Sequence, residues 1–217
     1  MKKFILFLID MLMWIPGLIF NEKIAYTFTF LSDTFYGSYI RHRFKRASHI
    51  KMFGHPIVLR GGKCVEVGEG VSLGKDTRIE AHEEYNGVRF HPHIKIGNHV
   101  IINPLCHIGC IDSVTIGDYV VLSERCLVID HTHGDVSYEH LSLYERERPL
   151  VSKGKVVIED YVWMGENSVV MSGVTVGHNS LIGANAVVTK DIPPYSIVAG
   201  NPARILRTLE PPLKIKI

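Results

Sequence analysis

Hydrophobic positions along this chain recur with a period of six. Aliphatic residues stand at Val67, Leu73 and Ile79, at Ile96, Ile102 and Ile108, and at Ile116, Leu122 and Val128. A last run holds Ile158, Met164, Val170, Val176, Ile182 and Val188. Against 46% hydrophobic residues overall, fifteen matches in fifteen positions would arise by chance about once in 10⁵ trials. Glycine follows in eight cases: Gly68, Gly74, Gly97, Gly109, Gly117, Gly165, Gly177 and Gly183. Six fits neither helix nor simple strand alternation. It predicts a short strand and a turn, repeated, with each strand paired in parallel to its equivalent one coil away. The aliphatic residue points inward, and the following glycine is expected to supply the dihedrals of the corner. The predicted body is an all-β parallel β-helix over residues 57–193, ended by Ile192-Pro193-Pro194, where proline removes ladder donors.

Three interruptions break the register: Ile79 to Ile96, two extra residues between Ile108 and Ile116, and a long one between Val128 and Ile158. Coils accept insertions at corners, so these predict protruding loops, the longest over 132–156. Beyond the coil, residues 194–217 form a tail in which Asn201 to Leu209, with Pro202 near its start, predicts a short helix. Before it, residues 1–56 form an apolar and helical segment.

That segment starts Met1-Lys2-Lys3 and runs nearly all apolar from Phe4 to Phe20. No small-residue cleavage site follows, unlike a signal peptide. Asp10, Pro16 and Gly17 interrupt a stretch short for a bilayer. A helix is expected, lying on a membrane through residues 1–20 or packed on the body. The basic run Arg41, Arg43, Lys45 and Arg46 would suit anionic lipid or a solvated face. The expected location is cytoplasmic, with peripheral contact to the inner membrane face left open.

Composition narrows the picture further. A chain of 217 residues suits one domain with an appendage. A net charge of +2 is too small to imply a nucleic-acid partner. Cys64, Cys106, Cys110 and Cys126 contain no CxxC pair and read as small buried hydrophobes rather than zinc ligands or reactive thiols.

The stretch from Val162-Trp163-Met164-Gly165 to Val188-Thr189-Lys190-Asp191-Ile192-Pro193-Pro194, with the ending Ala199-Gly200-Asn201-Pro202-Ala203-Arg204, closely resembles the hexapeptide-repeat acyltransferases. The nearest branch is that of the galactoside and maltose O-acetyltransferases and their relatives in surface-polysaccharide synthesis. The resemblance implies a left-handed coil, an exception to the usual crossover rule. It implies a homotrimer with active sites between subunits and acetyl-coenzyme A as acyl donor, with no metal required.

It also implies roles for single residues. Acetyl transfer to an alcohol needs a base that takes the hydroxyl proton as oxygen attacks, and histidine is largely neutral at pH 7. Val128-Ile129-Asp130-His131-Thr132-His133-Gly134 resembles the family's catalytic segment, and the match falls on His131, with His133 as second choice. Asp130 is expected to contribute little, because neighbours on an extended strand face opposite ways. Asn103 matches an acceptor-binding asparagine, although a corner residue would explain it equally well. The carboxylate that should follow is replaced by Ile111, beside Asp112. Trp163, Ala184, Thr189, Lys190, Arg204 and Arg207 match donor-binding positions, the cations suiting the phosphates of coenzyme A. Glu166 stands where a smaller residue is common. The long loop, with Tyr138, Glu139, His140 and Glu145-Arg146-Glu147-Arg148, is expected to cover the acceptor cleft.

The expected reaction is O-acetylation of a sugar hydroxyl, in a capsule, O-antigen or exopolysaccharide. The same scaffold would also serve an amino sugar's amine, serine or an antibiotic. A zinc carbonic anhydrase-like enzyme is more remote: the pairs His91/His93 and His131/His133 are a weak ligand pattern. A non-catalytic coil would not need His131 together with Lys190, Arg204 and Arg207.

Overall fold

A computed structural model describes residues 2–19 and 22–210. Its body is a triangular prism of three mainly parallel sheets. The first sheet stacks Val67 on Ile96, Ile116, Ile158 and Val176. The second stacks Leu73, Ile102, Leu122, Met164 and Ile182. The third stacks Ile79, Ile108, Val128, Val170 and Val188. All fifteen residues of the repeat are buried. Each such side chain contributes about 2 kcal/mol by leaving water, and only neighbouring coils can cover it.

The corners work differently from expectation. The residue with positive φ is not the one directly after the aliphatic position but the one two places further on: Gly70, Asp76, His99, Leu105, Tyr119, Arg125, Tyr161, Asn167, Asn179 and Asn185. Glycine is needed for close approach instead. A Cβ at Gly165 would lie 2.6 Å from the Ala184 nitrogen of the next coil.

The coil also begins before residue 57. Strands Arg46–Ala47 and Lys51–Phe53 pair in parallel with Val65–Val67 and Ser72–Gly74. Helices α1 (Lys2–Ile19) and α2 (Glu22–Ile40) precede them. Among the described residues no helix is long and apolar enough to cross a membrane. Phe20, in the expected membrane-contact segment, lies outside the described residues.

The expected C-terminal helix is absent. Arg204–Thr208 is a strand, antiparallel to Ser196–Ala199. Nine residues are marginal for an isolated helix, whereas the last strand of the second sheet presents unpaired amides and carbonyls that this segment satisfies. Of the expected tail, residues 211–217 lie outside those described.

All three interruptions leave at one corner, where the third sheet passes to the first. The first interruption holds an antiparallel hairpin, Glu84–Tyr85 with Val88–Arg89. Asn86 and Gly87 at its tip both have positive φ, as a tight hairpin turn requires. The third begins with Thr132–His133 paired antiparallel to Leu150–Val151 and carries α3 (Tyr138–Leu141).

Candidate active site

His131 lies at this shared corner, and only 4% of it is exposed. Its Nδ1 is 2.9 Å from Asp130 Oδ1. Asp130 is fully buried and accepts from the Ile111 amide at 2.9 Å and the Asp112 amide at 2.8 Å. The two extra residues after Ile108 thus wrap backbone donors around this carboxylate. Burial raises the Asp130 pKa, but the His131 ring and these amides outweigh it and hold the carboxyl below its usual range. Cys110 Sγ also points at Asp130 Oδ2, at 3.3 Å. Burial, then the Asp130 charge, pushes that thiol up, leaving it no nucleophile.

Asp130 is the buried carboxylate beside His131 that strand alternation hid. The chain leaves the strand after Ile129, so the alternation no longer applies. A carboxylate directly before the candidate base was the available signal.

The rest of the pocket holds the imidazole in place. Gly109 lies beneath it: a Cβ there would stand 3.3 Å from His131 Cε1. His82, at the equivalent corner two coils earlier, meets His131 edge-on with centroids 5.5 Å apart. Burial, then the proximity of His131, lowers the His82 pKa. Ser172 Oγ donates to the Asp130 carbonyl at 2.6 Å and accepts from the Lys153 amide at 2.7 Å, tying the end of the long loop to the coil. His131 Nε2 has no hydrogen-bond partner among the described residues. An imidazole anchored through Nδ1 in this way can take a proton at Nε2.

The two large interruptions form one wall beside this corner. The Tyr85 hydroxyl donates to the Arg146 carbonyl at 3.1 Å and lies 3.2 Å from His133 Nδ1. Asn86 Nδ2 donates to the same carbonyl at 2.7 Å. His133 is engaged by this hydroxyl and by Glu145 at 3.5 Å. The Asn-Gly turn was a legible hairpin signal, but its docking partner was not.

The other predicted residues divide among three places. Asn103, Trp163 and Ala184 line an open groove of about 520 Å³ with Ser123, Glu166 and Gly183. It follows the corner between the second and third sheets. Trp163 is half exposed, its Nε1 donating to Ser123 Oγ at 3.1 Å. Asn103 Nδ2 is spent on the Leu122 carbonyl at 2.9 Å. Glu166 pairs with Arg125 at 2.7 Å. Thr189 instead lines a hollow of about 100 Å³ with Thr132, Lys153 and Ser172, on the His131 side, and Lys190 follows it. Arg204 and Arg207 are exposed on the terminal strand. Within one chain, the groove and His131 therefore flank opposite edges of the third sheet.

The histidine pairs do not converge. His93 approaches Glu66, and His131 and His133 have the separate partners above. Among the described residues no three His, Cys, Asp or Glu side chains are grouped to hold a metal ion.

Comparison with known proteins is consistent with the prism. Residues 155–190 match the model described as bacterial transferase hexapeptide (six repeats). WbbJ of Escherichia coli (strain K12), named for O-acetyl transfer in lipopolysaccharide biosynthesis, is 31% identical over 155 residues, covering 70% of this chain and 76% of that protein. The chain belongs to the hexapeptide-repeat acyltransferase family. Its prism is the left-handed β-helix of these acyltransferases. The hexapeptide-repeat acetyltransferase VCA0836 of Vibrio cholerae, solved with acetyl-coenzyme A, is 28% identical with a TM-score of 0.53, covering 80% of this chain and 76% of that one. The N-acyltransferase AntD of Bacillus cereus shares the fold alone, at 14% identity and a TM-score of 0.64 over 80% of this chain and 89% of its own.

Proposed function

We propose that this acyltransferase moves an acetyl group from acetyl-coenzyme A to a sugar hydroxyl of a surface glycan, with His131 as general base. The observation that carries the reading is the Asp130–His131 contact, in a pocket bounded by Gly109 and His82. The similarity to WbbJ favours a glycan hydroxyl as acceptor. The complex of VCA0836 favours acetyl-coenzyme A as donor.

The chain's own residues suit that donor. The groove beside Trp163 is floored by Gly183 and Ala184, which leave room for a slender arm. Arg204 and Arg207 extend from the strand that follows it and would meet phosphate charge. Lys190, on the other side of the third sheet, adds a further cation for a donor shared between chains. The thioester supplies the acetyl group and an easily displaced sulfur.

His131 Nε2 takes the hydroxyl proton while the acceptor oxygen bonds to the acetyl carbon. The carbon–sulfur bond then breaks, and the proton passes from His131 to the leaving sulfur. Asp130 keeps Nδ1 as the donor toward itself and stabilises the transient imidazolium. The groove and His131 flank one sheet, so a homotrimer that sets the groove of one chain against the His131 corner of the next would complete each site. The joined loops would then shape the acceptor side and help select the substrate.

The test is thiol release from acetyl-coenzyme A across a panel of sugars, amino sugars, serine and aminoglycosides. Turnover with a neutral sugar or glycan, lost about 10³-fold in His131→Ala with donor affinity retained, is the expected result. Preference for an amine, serine or an antibiotic would overturn the glycan assignment. Full turnover in His131→Ala would place the base elsewhere.

A further inference from the structure

Helix α2 presents apolar residues on the wrong side for a soluble helix. It packs on the prism through Asp33, Gly37 and Ile40. Asp33 accepts from the Gly54 amide at 2.8 Å and meets His55 Nδ1 at 2.7 Å. A Cβ at Gly37 would stand 2.7 Å from the Ile50 carbonyl oxygen, so helix and strand are in close contact there. The orientation is therefore fixed. Leu31, Phe35 and Tyr39 stand four residues apart, two positions from the packed stripe and so on the opposite side. They are 46%, 74% and 61% exposed.

Helix α1 has no polar face in its first turns beyond Lys2, Lys3 and Asp10. Each apolar side chain from Phe4 to Leu12, and Trp14, is at least 36% exposed. Consecutive residues point to all sides of a helix, so much apolar surface remains that the rest of the chain does not cover.

Charge indicates what does. Residues 1–51 hold eight lysines and arginines against three acids, a balance of +5, in a chain of net +2. The remainder is therefore net negative. Arg41 and Arg43 follow directly from the end of α2, with Arg46 three residues on. Arg43 also lines a hollow of about 750 Å³ with Lys45 and Lys63, Lys45 sharing its charge with Glu66. Exposed aromatics beside cations match the chemistry of a lipid interface.

We infer that α1 and the outer stripe of α2 dock the enzyme on a membrane surface rich in anionic lipid, with Arg41, Arg43 and Arg46 against the headgroup phosphates. Neither helix spans it. The inference rests on the helices and stands whatever the acceptor is.

The experiment is co-sedimentation of the purified full chain with vesicles of phosphatidylcholine alone, or with one third phosphatidylglycerol. Binding to the anionic vesicles is expected to be at least roughly tenfold tighter, and to weaken at high salt. Arg41→Gln/Arg43→Gln/Arg46→Gln should remove the preference for anionic lipid. Leu31→Ser/Phe35→Ser/Tyr39→Ser should weaken binding to both. Apart from the half-buried Arg41, both variants alter exposed side chains, and they should keep wild-type circular dichroism and acetyl transfer to a soluble acceptor. Wild-type protein left in the supernatant with both vesicles would overturn the inference. So would a serine variant that binds vesicles normally but changes subunit number by light scattering, because a second copy would then cover the stripe.

Discussion

Asp130 Oδ1 lies 2.9 Å from His131 Nδ1, and both residues are buried although they are neighbours in sequence. The pairing is possible because the chain turns out of the third sheet between Ile129 and Thr132. Two amides from the coil below then hold the carboxylate still.

Asp130→Asn keeps the shape and removes the charge. Turnover should fall roughly 10- to 100-fold, with the KM for acetyl-coenzyme A little changed. Folding lowers the Asp130 pKa, so its ionised form stabilises the fold above the unfolded value of about 4. That contribution disappears as pH falls through the lower folded value. Denaturant titrations should therefore show wild type losing its advantage over Asp130→Asn below about pH 4. An undiminished gap at pH 2 would contradict the assignment.

Gly109→Ala tests how tightly the imidazole is seated. The new methyl would stand 3.3 Å from both His131 Cε1 and Ile129 Cγ1, and the position has no positive φ to strain. Stability should drop by about 1 kcal/mol, while turnover falls tenfold or more through displacement of His131. Unchanged turnover would show that the ring tolerates the methyl.

The wall formed by the two insertions can be opened without touching His131. Tyr85→Phe/Asn86→Ala removes both side-chain donors to the Arg146 carbonyl. The acceptor KM should rise several-fold and the donor KM stay constant, at a cost of about 1–2 kcal/mol in stability. Steady-state kinetics with each substrate varied in turn separates the two.

Charge on the terminal strand should act on the donor alone. Arg204→Gln/Arg207→Gln is expected to raise the acetyl-coenzyme A KM about tenfold and to reduce its dependence on salt. Both side chains are exposed, so the melting temperature should barely move. An unchanged donor KM would remove these residues from the binding surface.

Much of the body was legible in the sequence for a simple reason. Every coil repeats the same environment, so the inward position every six residues admits only an aliphatic side chain, and Val67 through Val188 report it directly. His131 was legible as the candidate base because coil, loop and motif coincide there. The glycine corners were misread because sequence marks where glycine stands, not whether its dihedrals or the neighbouring coil requires it.

Contacts between distant segments were decided by tertiary structure alone. Arg204–Thr208 became a strand because an open sheet edge offered partners that local propensity does not include. Tyr85 meets Arg146 across 61 residues, and the Ile111 amide reaches Asp130 across 19. Periodicity records what each residue needs from its own coil. Which insertions meet, and which carboxylate turns toward the histidine, depends on all three leaving the prism at one corner.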